Sequence, residues 1–343
     1  MEYAGRYPIF DPSRITTYPV RTRANKVHIQ DLVRPQDLPG LSVDTSHETR
    51  KAVEAVAAAV RQARQTGKPV LLFTGAHLIK NGLGPLLADM VRRSLVTLVA
   101  GNMATAIHDF ELALLGQTSE DVPNALGAGQ FGMAYEFAYI NAAIAAGDAR
   151  GWGLGELLGR MICDEGFRRE VLAPVAKDDR LEHFPHKSVS VIAACHECGV
   201  PLTIHAGVGT DVIDQHPSFD GRAKGGCSGR DFLIYTHAVA GLGSGGVVIN
   251  IGSAVTGPEV LLKAVSMAAN VGAGPRGIVT ADFDIREHHP AQMTDESTQG
   301  YYFRDQKSVL TRIPQAFAGR GYYVQGDQKQ TFVLLYRMLT GMD

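Results

Sequence analysis

Five short apolar runs, each ending in small or polar residues, set the rhythm of the chain. Val70-Leu-Leu-Phe-Thr74, Leu95-Val-Thr-Leu-Val-Ala100, Leu202-Thr-Ile-His205, Val247-Val-Ile-Asn-Ile251 and Gly277-Ile-Val-Thr-Ala281 are the runs. Continuous apolar character over four to six residues, with β-branched and aromatic members, predicts strands buried on both faces. Between them lie stretches of helical period: Leu83 to Arg93, the Ala-rich Gly127 to Gly147, Lys187 to Gly199, Asp231 to Leu242 and Val260 to Val271. Ahead of the first strand, Thr45-Ser-His-Glu48 can cap a helix that runs through Ala52 to Ala63. Strands alternating with helices predict an α/β fold: a Rossmann-like, doubly wound, mainly parallel sheet flanked by helices. Its functional residues are expected at the carboxyl ends of the strands.

Residues 1–46 break this pattern. Pro8, Pro12, Pro19, Pro35 and Pro39, with several Arg and Tyr, show no period and predict an extended arm lying over its own domain or a neighbouring subunit. Residues 47–343 read as a single α/β domain of nucleotide-binding type. Gly151 to Gly159 reads as a turn and helix, and Lys177 to Arg180 as a solvated charge run.

Composition narrows the partners. The chain has 343 residues, enough for a substantial core, and a formal net charge of −2 with no basic stripe, which argues against nucleic acid or an anionic membrane. No 18-residue apolar run and no signal-peptide pattern is present, so the cytoplasm is the expected compartment. Four cysteines are too few for a disulfide scaffold. Cys195-His-Glu-Cys198 lacks the second pair a structural zinc needs, and helix packing is the simpler account. No metal is expected. Gly241-Leu-Gly-Ser-Gly-Gly246 matches the spacing of a dinucleotide fingerprint, but a helix precedes it and a strand follows, the reverse of what that motif requires. It reads as a helix stop.

Polar density at the strand ends marks the candidate site. Thr74, Gly75, Ala76 and His77 follow the first strand, and Asn102, Met103, Ala104, His108, Asp109 and Glu111 follow the second. His205, Asp211 and His216 follow the third, Gly252 and Ser253 the fourth, and Thr280, Ala281 and Asp282 close the fifth. Small-residue turns at helix starts expose backbone N–H groups suited to a nucleotide. Carboxylates suit a cationic amine, and imidazoles titrate near neutral pH. The pair His288 and His289 reads as solvent-facing loop.

These turns resemble the deoxyhypusine synthase family. Thr74-Gly-Ala-His-Leu-Ile79 stands where that family has Thr-Ser-Asn-Leu-Ile. Gly101-Asn-Met-Ala-Thr-Ala106 stands for its Thr-Ala-Gly-Gly turn, and Gly207-Val-Gly-Thr-Asp211 for its Gly-Ser-Leu-Gly-Asp. The resemblance implies NAD as cofactor, held by Thr74–His77, Asn102–Ala104, Gly252, Ser253 and Thr280–Asp282. It implies an amine substrate met by Asp109, Glu111 and Asp211, with His205, His108 or His216 moving protons, and a homotetramer with sites near subunit interfaces. The expected reaction is oxidation of a polyamine or basic amino acid to an imine, followed by transfer, cyclisation or deamination. Departures are evident. Ala206 replaces a cofactor-contacting aspartate, and Gly257-Pro-Glu259 replaces Lys-His-His. The imine-forming Trp-Gly-Lys is absent: the one tryptophan, Trp152, precedes Gly153-Leu154, which leaves Lys307, Lys329 and Lys80 as substitutes to be tested. Two alternatives stand beside this reading. One is a lyase or hydrolase without nicotinamide using a His205–Asp211–His216 cluster, with or without a divalent metal. The other is a non-catalytic small-molecule-binding relative.

Overall fold

The computed structural model describes residues 3–175, 181–287, 292–293 and 295–342. The charge run at 177–180 and the pair His288–His289 therefore lie outside the described residues. Among the described residues eight strands follow in chain order: β1 (Asn25–His28), β2 (Val70–Thr74), β3 (Leu98–Asn102), β4 (Gln117–Glu120), β5 (Leu202–His205), β6 (Val247–Ile251), β7 (Val279–Asp284) and β8 (Arg320–Gln325). Six form one sheet in the order β5-β3-β2-β6-β7-β8, every pair parallel. Counted within the sheet this is 3-2-1-4-5-6, the doubly wound order whose direction reverses between β2 and β6. The predicted α/β, Rossmann-like architecture is thus what the chain forms.

The reason lies in the alternation of side chains. Val70 and Leu72 of β2 face one apolar layer, and Leu71 and Phe73 face the other, all essentially inaccessible. Burying each such side chain contributes roughly 1.5–3 kcal/mol. The helix His47–Gln65 starts where expected: the Ser46 side chain accepts from the Thr49 backbone N–H at 3.0 Å. It buries Val53, Val56, Val60 and Ala63 against the last helix, Gln328–Thr340.

Several boundaries differ from the sequence reading; the helix expected over Gly127 to Gly147, for one, spans Phe137–Ala149. The second strand is shifted to Leu98–Asn102, so Asn102 ends it. Strand β7 does not stop at Ala281 but runs on to Asp284, because Asp282 is paired inside the sheet region instead of facing a turn. The helix before Gly241 begins at Gly221, not near Asp231. Asp220 caps it by accepting from Arg222 and Ala223, and Asp148 packs close against Gly226, where a Cβ would lie 2.6 Å from its oxygen. Strand β8 was not foreseen at all.

The arm folds back on its own domain. Strands β1 and β4 pair antiparallel, with Val27 opposite Thr118 and Asn25 opposite Glu120. Tyr18 bridges to Ala134, and Val20, Leu32 and Leu38 are buried in the main core. This packing carries Arg23 to the carboxyl side of the sheet.

Candidate functional site

A cavity of about 540 Å³ opens beside the helix Met103–Leu115, which follows β3. Asn102 caps that helix, its Oδ1 accepting from the Thr105 N–H and hydroxyl, both at 2.9 Å. With the start fixed, helical spacing lines up Ala104, Ile107, His108 and Glu111 along one face, and all four line the cavity. The ribbon contributes Ser119 and Glu120, the arm Arg23, and the end of the short helix Ala76–Lys80 its Lys80. The turn after β5, Gly209 to Gln215, forms the opposite wall.

On the helix wall the groups are linked in series. Arg23 Nη2 lies 2.6 Å from Glu111 Oε1, and its Nη1 lies 3.8 Å from Glu120 Oε2. The other Glu111 oxygen accepts from the Thr118 hydroxyl at 2.5 Å, and His108 Nδ1 lies 2.7 Å from that same hydroxyl. Burial would raise the Glu111 carboxyl, but the His108 hydrogen bond and the Arg23 charge more than offset it, holding Glu111 below the usual range. Glu111 is therefore ionised and only accepts. Thr118 has one proton, which goes to Glu111, so toward His108 it accepts from Nδ1–H. The neutral tautomer then leaves a lone pair on His108 Nε2, the ring nitrogen without a partner among the described residues, at a residue on the cavity wall.

The opposite wall is acidic. Asp211 and Asp214 share one ammonium: Lys224 Nζ is 2.7 Å from Asp211 Oδ2 and also pairs with Asp214 Oδ1. Lys224 is 1% exposed and sits behind the wall, not on it. Asp214 Oδ2 accepts from the Gly209 N–H at 2.7 Å and the Asp211 N–H at 3.2 Å, which fixes the turn. Burial, against the pull of Lys224, pushes the Asp211 carboxyl up. Two carboxylates facing one ammonium leave a net negative wall, where a ligand cation is favoured.

The expected site residues divide sharply. Ala104, His108, Glu111, Asp211 and Lys80 meet at the cavity. Asp109 does not: buried on the other side of the helix, it accepts from Ser190 Oγ at 2.5 Å and from the Val191 and Ile192 N–H groups at 2.9 and 3.0 Å. It caps the helix Val191–Glu197 and has no oxygen for a substrate amine. His205 is caged by Phe73, Tyr235 and Phe232, with ring centroids 5.5, 5.3 and 6.4 Å away, and desolvation takes its imidazole down to about 3. It does not line the cavity. His216 is held on Ser218 and lowered by burial to about 4. His205, Asp211 and His216 thus occupy three separate environments, and no group of three or more metal-ligating side chains is assembled among the described residues.

The nucleotide-type turns meet at the reversal of the sheet. Gly75 N–H donates to Ile251 O at 3.0 Å, and a Cβ on Gly75 would lie 2.2 Å from Gly252 O. Gly252 has φ +60°, so both glycines are demanded by this crossing of loops. Thr74, Met103 and Ser253 are buried beneath it; Ala76, Asn102 and Gly252 are half-buried at its crest, with His77 exposed. Desolvation and then Lys80 hold His77 below its usual value. Thr280 lies inside β7, its hydroxyl donating to Val309 O at 2.5 Å, and Ala281 is fully buried, so neither reaches a turn. Asp282 accepts from Asn250 Nδ2 and Gln306 Nε2, both at 2.6 Å, and is likewise removed from the crest. Lys307 lies buried with its ammonium 3.5 Å from the centroid of the Tyr301 ring, and Lys329 is exposed at the start of the last helix; neither lines the cavity.

Sequence reasoning missed Arg23, Thr118 and Glu120. Asp214 and Lys224 were legible in the stretch after β5 as an acidic turn that could pair with a nearby lysine, and the structure pairs Lys224 with both Asp211 and Asp214.

No family model matches the chain, and no curated protein matches it in sequence. Among solved structures it is similar to ArgZ, an arginine dihydrolase from the ornithine–ammonia cycle in cyanobacteria, at 18% identity and a TM-score of 0.47 over 87% of this chain and 32% of that one. It is similar to AgrE, solved as a ternary complex with ornithine and NAD+, at 16% identity and a TM-score of 0.48 over 88% and 34%. A putative LOR/SDH protein from Methanococcus maripaludis S2 aligns at 16% identity and a TM-score of 0.44 over 90% and 74%. The chain spans about a third of the length of ArgZ and AgrE. None of these similarities assigns it to a family.

Proposed function

We propose that this chain is an NAD-dependent enzyme that acts on a C–N bond of a small amine, with a basic amino acid as the favoured substrate class. The observation that carries the reading is the cavity itself. One wall, Asp211 and Asp214 with a single shared ammonium, takes the substrate cation. The facing wall carries a histidine held in one tautomer by Thr118 and Glu111, with its other nitrogen available. Lys80 at the same cavity gives a carboxylate somewhere to go. That combination suits a zwitterion with a second amine better than a simple polyamine.

The fold supports the cofactor. Dinucleotides bind in doubly wound sheets at the carboxyl-end crevice where strand order reverses, here between β2 and β6. The residues there are of the kind such a group needs: the two turns cross backbone to backbone at Gly75 and Gly252, and the side chains beside them, Ala76 and Asn102, are small and half-buried. The deoxyhypusine synthase resemblance of the same turns points the same way. Bound NAD would supply the hydride acceptor. The chain's own work is to hold the ammonium at Asp211, accept its proton at His108 Nε2, stabilise the resulting imidazolium through Glu111 3.6 Å away, and exclude water with Phe131 and Phe137. Neither Lys307 nor Lys329 lines this cavity; Lys80 does, and the reading gives it the substrate carboxylate in place of an enzyme-bound imine.

Calorimetry with NAD and NADH on wild type and Asn102→Asp tests the cofactor. Turnover with ornithine, arginine and putrescine, followed by amine loss and ammonia release, tests the chemistry. Saturable binding weakened by the variant, with turnover on an amino acid, supports the proposal. Binding without turnover on any amine leaves the non-catalytic binder, and no binding at millimolar cofactor sinks the nicotinamide reading.

A further inference from the structure

The arm is pinned on both sides of Arg23 by other groups. Upstream, the Val20 N–H donates to Glu136 Oε2 at 2.8 Å, and Tyr18 exchanges backbone hydrogen bonds with Met133 and Tyr135. Downstream, β1 begins at Asn25 and pairs with β4. The arm thus has anchors besides the Arg23 side chain, yet that side chain is 3% exposed, a guanidinium taken out of water beside the cavity. An apolar side chain of similar volume often serves stability as well as a buried ion pair does. The charge therefore asks for a different account.

Glu111 supplies it. Three side chains face this carboxylate among the described residues: Arg23 from the arm at 2.6 Å, Thr118 from β4 at 2.5 Å and His108 from its own helix at 3.6 Å. Only Arg23 is charged at every pH the protein meets. Beside that charge Glu111 is ionised and takes the Thr118 proton, Thr118 accepts from His108 Nδ1–H, and Nε2 stays bare. Without the charge, a carboxyl as buried as Glu111, 5% exposed, takes a proton from water. Its O–H then donates to Thr118, the Thr118 proton turns to Nδ1, and the one proton of the ring moves to Nε2. One proton enters as one positive charge leaves, so the net charge of the cluster is unchanged. Every hydrogen bond in the chain has reversed, and His108 can no longer accept at Nε2.

We propose that Arg23 sets the direction of the hydrogen-bond chain Glu111–Thr118–His108, a positioning residue on the arm that keeps Nε2 of His108 free to accept. This rests on the proton-accepting role given to His108 in the proposed reaction, but the state of the ring is read without turnover.

The test is 15N NMR of the full chain labelled with 15N-histidine, at mildly alkaline pH where a free imidazole is neutral. The His108 signals are those that His108→Gln removes. Wild type is expected to show Nδ1–H and a bare Nε2, and Arg23→Met the reverse. Arg23→Lys, which keeps the charge, is expected to keep the wild-type pattern. Glu111→Gln reverses the chain with Arg23 in place, because the guanidinium draws the amide oxygen and turns the NH2 toward Thr118; it serves if Arg23→Met fails to fold. A proton still on Nδ1 in Arg23→Met, a reversal in Arg23→Lys, or Nε2–H in the wild type overturns the proposal. In turnover, Arg23→Met is expected to lower kcat by roughly 10²-fold or more with KM little changed. Unchanged kcat with the ring reversed would establish the direction of the chain and overturn instead the role given to His108, so the two failures are told apart.

Discussion

Two sets of acidic side chains are buried near the carboxyl ends of the strands, and they are solved differently. Asp109, Asp231 and Asp282 are met only by uncharged donors. Asp109 takes Ser190 and two backbone N–H groups, Asp231 takes the Gly155 and Ile204 N–H groups, and Asp282 takes two side-chain amides. Glu111, Asp211 and Asp214 each meet a cation instead, Arg23 or Lys224, and each lines the cavity. Neutral donors let a carboxyl serve architecture, since helix starts and strand ends supply them locally. A carboxylate kept charged beside open space is placed for a ligand. The histidines repeat the contrast: His205 is enclosed by aromatic rings, while His108 is wired through Thr118 to an ionised Glu111.

The largest effect should come from cutting that wire. His108→Gln keeps a partner for Thr118 but removes the proton acceptor, so kcat on the amine is expected to fall by about 10²–10⁴-fold with KM little changed. Steady-state kinetics across pH, with circular dichroism to confirm the fold, decides it. A KM effect alone would move His108 from chemistry to binding. Next in size is the other set: Asp109→Ala removes a helix cap and orphans two buried N–H groups, a loss of roughly 3 kcal/mol. Tm should drop by several degrees while the KM of the surviving enzyme holds. A changed KM with unchanged Tm would dissolve the distinction between the two sets.

That distinction was only half legible in the sequence. Strands β2 and β6 were read almost to the residue because both faces are buried and the apolar run is continuous. Strand β8, Arg320–Gln325, is an edge strand with only Val324 buried, so it carries no such run. Asp282 looked like a strand end because a charge inside a parallel sheet is rare; only its two amide partners, one of them Gln306 from beyond β7, explain it. Likewise Asp109 and Glu111, two positions apart on one helix, point to different faces. His108 and Glu111 could be named from the helix after β3. Arg23 could not, because it arrives from 88 residues away on an arm whose pairing with β4 no local pattern announces.

A smaller effect is expected at the acidic wall. Asp211→Asn removes one of two carboxylates facing a substrate ammonium, and a charged hydrogen bond of about 1.5–3 kcal/mol corresponds to a KM raised by roughly 10–100-fold, with kcat nearly preserved. Asp214 keeps Lys224 paired, so the fold should hold. If Asp211→Asn lowered kcat by more than it raised KM, the wall would belong to the chemistry and not to binding.

The smallest effect separates the two sets by pH alone. Burial pushes Asp282 up to about 7 from an ordinary value of 3.8, against the pull of Asn250 and Gln306. A carboxyl whose folded value is raised holds its proton better in the folded state, so its contribution to stability is full below the unfolded value and is lost as pH rises through 7. Asp282 should therefore make the protein progressively less stable as pH rises from about 4 to about 7. Glu111, held below its ordinary value, acts in the opposite sense: its contribution is present above that value and lost only as pH falls below it. Asp282→Asn should flatten the decline of Tm between pH 4 and 7 by a few degrees, while Glu111→Gln should leave it intact. If Asp282→Asn left the decline unchanged, the carboxyl would be ionised in the fold at neutral pH. The division between charge-paired and neutrally capped carboxyls would then fail at this residue.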